Sequence, residues 1–118
     1  MAKILIADDS AFMRMMLKNI LTEGGHEIVA EAANGREVID LYRSHHPDIV
    51  TLDITMPEMD GLEALKVLKA SYPEAKVIMC SAMGQQNMVI EAIQSGAISF
   101  IVKPFKKEKV LEVIAKLV

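Results

Sequence analysis

Apolar residues fall along this chain in two alternating rhythms. Short β-rich runs at Lys3–Ala7, Ile49–Leu52, Lys76–Cys80 and Phe100–Val102 read as buried strands, while Glu27–Glu31 alternates apolar and polar positions and reads as an edge strand. Between these runs the apolar residues recur at helical spacing. Met13, Met16, Leu17, Ile20 and Leu21 mark a first helix, and Val38, Ile39, Leu41 and Tyr42 a second. Leu62, Leu65, Val67 and Leu68 mark a third, Gln85–Ser95 is a fourth, and Val110, Leu111, Val113, Ile114 and Leu117 mark the last. Punctuation agrees with this division: Gly24-Gly25 follows the first helix, Pro47 and Pro73 follow the second and third, and Gly96 follows the fourth.

Strict β–α alternation predicts an α/β fold whose parallel sheet is covered on both faces. The edge character of the second strand predicts the order 2-1-3-4-5, a flavodoxin-like, doubly wound sheet with five strands and five helices. At 118 residues the expectation is a single domain, residues 1–118, with no separate output module. A hydrophobic share of 52% supports one real core, and a net charge of −3 argues against a general nucleic-acid binder, which needs an excess of Lys and Arg. There is neither a signal-peptide h-region nor an apolar run of roughly 18 residues, so a cytoplasmic protein without a membrane segment is expected. The lone Cys80 allows no intramolecular disulfide.

Ligand sites of open α/β sheets lie outside the carboxyl ends of the strands. At those ends stand Asp8 and Asp9, then Asp53, then Ser81, then Lys103. The adjacent acids alone could be a helix N-cap and a first-turn charge. Adding Asp53 on the neighbouring strand changes the balance, because two carboxylates about 4 Å apart repel by roughly 4 kcal/mol at an effective dielectric of 20. A divalent cation removes that repulsion, and Mg²⁺ favours carboxylates, waters and phosphate oxygens. Asp53, where a strand gives way to a loop, is the candidate nucleophile, since carboxylates form acyl phosphates. Lys103 offers an ammonium able to pair with Asp53 and with a phosphate oxygen. A cis Lys103–Pro104 bond is expected to aim that side chain inward.

Read in order, Asp8-Asp9-Ser10, Asp53 with Met56-Pro57 and Gly61, Ser81-Ala82, and Lys103-Pro104-Phe105 resemble the receiver domain of two-component response regulators, over the whole chain. Within that family, the stretches Ala11-Phe12-Met13-Arg14-Met15-Met16 and Ser81-Ala82-Met83-Gly84-Gln85-Gln86 look like the stand-alone chemotaxis receivers. The resemblance implies that Asp53 accepts a phosphoryl group from a sensor histidine kinase, with Asp8, Asp9, Asp53 and the Thr55 backbone carbonyl holding Mg²⁺. It also implies that the Ser81 hydroxyl binds the phosphoryl group, that Phe100 follows it inward, and that Thr55 and Met83 flank the hydrolytic water. Bulky Met83 is expected to shield that water partly.

The fourth helix carries Met88, Val89, Ile90, Ala92 and Ile93 over an arc near 200° at about 100° per residue, wider than a core stripe needs. Met88, Val89 and Ile93, with Phe100 alongside, are therefore the expected partner face. By resemblance, the partner there is the flagellar motor switch. Met15, opposite the apolar stripe of the first helix, is a candidate contact for the kinase or a phosphatase. A monomer is expected. Cys80 has no obvious base and reads as buried filler, and the adjacent His45 and His46 point about 100° apart on a helix, a poor chelate.

Two other classes share part of this pattern: a single-domain phosphorelay receiver with another partner, and a small Mg²⁺-dependent aspartyl-phosphate phosphatase or phosphotransferase. The latter lacks an acid at Thr55 and room for a substrate-covering cap. A flavodoxin has few aromatic candidates here, only Tyr42 and Tyr72 with no Trp, and a phosphate-binding P-loop is absent.

Overall fold

The computed structural model describes residues 1–118. Strands β1 (Lys3–Ala7), β2 (Glu27–Ala32), β3 (Ile49–Asp53), β4 (Val77–Ser81) and β5 (Ser99–Val102) alternate with helices α1 (Ala11–Glu23), α2 (Gly35–His45), α3 (Gly61–Ser71), α4 (Gln86–Gln94) and α5 (Lys107–Ala115). All strand pairs are parallel and the order is β2-β1-β3-β4-β5. This is the flavodoxin-like arrangement expected from the alternation of strand and helix patterns.

Side chains of a strand point alternately to opposite faces, so each central strand feeds two cores. Leu5, Val50, Leu52, Val77 and Met79 pack with residues of α2, α3 and α4. Ile4, Ile6, Ile49, Ile78 and Ile101 pack on the other face with Leu17 and Leu21 of α1 and Val110 and Ile114 of α5. Thr51 of β3 is a buried polar residue within this apolar packing, and its hydroxyl has no hydrogen-bond partner.

Local details differ from the sequence expectation. The edge strand does not alternate cleanly, because a bulge shifts the β1–β2 register between Ile4↔Ile28 and Leu5↔Ala30, leaving Val29 unpaired and turning its neighbours. Strand β4 starts one residue later than its apolar run and takes in Ser81, which is paired opposite Val102. His46 ends α2 in the left-handed conformation at φ 43°, so the histidine pair terminates a helix instead of forming a chelate.

Candidate functional site

Strand register alone brings the chemistry together. Ala7 pairs with Leu52, Leu52 with Met79 and Met79 with Phe100, which makes a row across four strands. Asp8 and Asp53 lie one residue past that row, Ser81 two past it and Lys103 three past it. The two buried carboxylates thus stand side by side, and only a long side chain can reach back to them from β5. Lys103 does so, with its Nζ 2.8 Å from Asp8 Oδ2 and 3.3 Å from Asp53 Oδ1. The Lys103–Pro104 peptide is cis.

Asp8 is not a helix cap. Ser10 caps α1, its hydroxyl oxygen accepting from Met13 N at 3.2 Å. Asp8 Oδ1 instead accepts from Ser10 N at 2.9 Å, and Arg14 Nη1 donates to the Asp8 carbonyl at 2.6 Å. Asp8 is therefore fixed at both backbone and side chain, while Asp9 is exposed beside it. Asp53 is held through the loop that follows it. Gly61 N donates to Ile54 O at 2.7 Å, and a Cβ on Gly61 would fall on the Asp53 carbonyl oxygen. Only glycine lets α3 start this close to the strand.

Burial and the neighbouring Asp8 push the Asp53 carboxyl up to about 6, with Lys103 opposing and Asp9 adding a smaller push. For Lys103, burial works against the charge, but the hydrogen bond it donates to Asp8 and the charges of Asp53 and Asp8 win and raise its affinity for the proton. Burial is the largest cause that pushes the Cys80 thiol up to about 12, which removes it as a nucleophile at neutral pH.

One ligand atom from each of Asp8, Asp9 and Asp53 lies within 4.8 Å of the others. Three carboxylates against one ammonium leave the cluster short of positive charge, and an all-oxygen donor set fits a hard divalent cation. Ser81 is 2% exposed at the end of β4. Thr55 is exposed in the β3–α3 loop, with its hydroxyl hydrogen-bonded to Gln85 Nε2 at 3.0 Å.

A largely apolar groove of about 570 Å³ runs from Ser81 between α4 and β5, bordered by Met83, Val89, Ile93 and Phe100. Met88, Ile93 and Phe100 of the expected partner face are exposed, and so is Ile90. Val89 corrects that expectation, because at 9% exposure it faces the core and forms the groove floor. Met83 is 84% exposed at the groove rim. Met15 is exposed on α1, as expected of a contact residue.

Sequence reading missed Gln85, which joins the Asp53 and Ser81 loops. Its signal was the beginning of a helical pattern with no Ser, Thr, Asp or Asn to cap it.

Comparison with known proteins agrees with this geometry. The family model described as the response regulator receiver domain matches residues 4–115. A chemotaxis protein CheY of Bacillus subtilis (strain 168) is 61% identical over 114 residues, covering 97% of this chain and 95% of the relative. The CheY of Thermotoga maritima is 58% identical with the same coverage, 97% and 95%. Among solved structures, a chain of the CheX–CheY–BeF3–Mg²⁺ complex from Borrelia burgdorferi superposes with a TM-score of 0.92 at 43% identity, covering 98% of this chain and 89% of that one. Fold, strand-end residues and sequence all agree, and the chain belongs to the response regulator receiver family.

Proposed function

We propose that this chain is a chemotaxis response regulator in which Asp53 accepts a phosphoryl group from a sensor histidine kinase and the modified protein changes its affinity for the flagellar motor switch. The observation that carries the reading is the buried Asp8–Asp53 pair bridged by Lys103, with Ser81 at the adjoining strand end. In the transfer, an Asp53 carboxylate oxygen forms a bond to phosphorus as the donor's phosphorus–nitrogen bond breaks, and the histidine leaves with that electron pair.

Asp8, Asp9, Asp53 and the Thr55 carbonyl would hold Mg²⁺, which supplies charge neutralisation for the incoming phosphoryl oxygens. Lys103 contributes from the other side. It pairs with Asp53 at rest and offers the same ammonium to a phosphoryl oxygen afterwards. The Ser81 hydroxyl then donates to the new group, and Phe100, bordering the apolar groove, follows into the space beside Ser81. That movement alters the α4–β5 surface where Met88, Ile93 and Phe100 stand, and the motor switch docks there. Thr55 and Met83 flank the hydrolytic water and tune the lifetime of the phosphoryl group. The work is that of a signalling module whose own phosphorylation and dephosphorylation are its only chemistry. It takes place in the cytoplasm, with the protein monomeric and a phosphatase as a further partner; no helix is long and apolar enough to cross a membrane.

Phosphotransfer from a radiolabelled chemotaxis kinase tests this reading. Label that is alkali-labile, released by hydroxylamine and lost in Asp53→Asn is the expected result. Label resistant to hydroxylamine, or mapped to Ser81, contradicts it.

A further inference from the structure

Gln85 is a single side chain that spans two loops. Its Oε1 accepts from Ala82 N at 2.7 Å, and its Nε2 donates to Thr55 Oγ1 at 3.0 Å. Thr55 is two residues beyond Asp53 and Ala82 is one beyond Ser81, so this amide ties together the loops that bound the acidic pocket. Gln85 is also the N-cap residue of α4 and makes no side-chain bond to its own helix. By contrast, Ser10, Asn34 and Asp60 cap α1, α2 and α3 with their side chains. The start of α4 is anchored across the loops instead of to itself.

We infer that Gln85 is a positioning residue that holds the resting arrangement of the pocket and must release Ala82 when Asp53 carries a phosphoryl group. The inference rests on the reading of Asp53 as phosphoacceptor and deepens it. Ser81 and Ala82 share a peptide unit, so drawing the Ser81 hydroxyl toward a group on Asp53 carries the Ala82 N–H away from the Gln85 oxygen. Opening this bracket frees the first turn of α4, where Gln86 and Val89 border the groove. Gln85 thereby couples occupancy of the pocket to the α4 surface, and it does so by opposing the active arrangement. The bracket is neutral and its two hydrogen bonds are exposed, so water replaces its partners when it opens. A net bias of roughly three- to tenfold follows, the ordinary worth of about one such hydrogen bond.

Beryllofluoride, a stable stand-in for a phosphoryl group on a carboxylate, provides the probe. Titrated with Mg²⁺ into the full chain and followed by amide NMR shifts, it is expected to bind Gln85→Ala roughly fivefold more tightly than the native chain. Gln85→Asn, too short to span both loops, is expected to act in the same direction. Without the probe, the first-turn amides of α4 are expected to exchange faster in both variants. A purely structural role for Gln85 would weaken binding or leave it alone. Equal or weaker affinity in both variants, with the native chain binding normally, overturns the inference. Failure of the native chain to bind beryllofluoride overturns the phosphoacceptor reading and the inference with it.

Discussion

The Lys103 ammonium sits 3.3 Å from the Asp53 carboxylate and simultaneously contacts Asp8. One cation therefore serves two buried acids. Replacing it by an apolar side chain of similar length leaves both acids unpaired, so Lys103→Met is expected to destabilise the metal-free chain by about 2–3 kcal/mol, somewhat less than a fully buried pair because Lys103 is partly exposed. Saturating Mg²⁺ is expected to stabilise this variant more than the native chain. Urea unfolding with and without the ion measures both effects, and an equal response in the two proteins would argue against a shared cation role.

The raised proton affinity of Asp53 links stability to pH. Its carboxyl titrates near 6 in the folded chain against 3.8 as the ordinary value, so the folded state binds the proton more tightly. Stability from this group is complete below about pH 4 and is lost as the pH rises through about 6. Metal-free native protein is therefore expected to lose stability across that window, with the loss absent in Asp53→Asn and reduced by Mg²⁺. Thermal unfolding from pH 4 to 8 checks the sign: a window of rising stability that depends on Asp53 would refute it.

Gly61 permits the close approach of α3 to the end of β3. Gly61→Ala places a methyl group on the Asp53 carbonyl oxygen, so either the helix start or Asp53 must shift. A loss of about 3 kcal/mol is expected, at the upper end for overpacking, together with slower phosphorylation. A variant as stable and as fast as the native chain would mean the loop yields freely.

Thr51 buries a hydroxyl that nothing accepts from or donates to. Thr51→Val keeps the shape and removes the unpaired group, with an expected gain of about 1 kcal/mol. The urea midpoint should move upward with an unchanged slope, and a downward move would point to a partner for that hydroxyl.

Much of the fold was legible because apolar runs and helical spacing alternate without interruption, and the acids and Lys103 stand where those runs stop. What escaped reading has physical causes. A bulge at Val29 depends on how two strands pair, which local pattern does not encode. Val89 and Met88 are equally apolar neighbours on α4, and only packing decides that the first faces inward and the second outward. The Gln85 bracket joins residues 30 apart in sequence, and an amide at a helix start carries no mark of what lies across the pocket.

The central claim is that Asp53 takes up phosphorus beside Mg²⁺. Its most direct test is intact mass after incubation with acetyl phosphate and Mg²⁺, with the native chain compared with Asp53→Asn. One added phosphoryl group on the native chain, none on the variant and none after chelation of the metal is the expected result. Equal modification of both proteins, or an unmodified native chain, would contradict it.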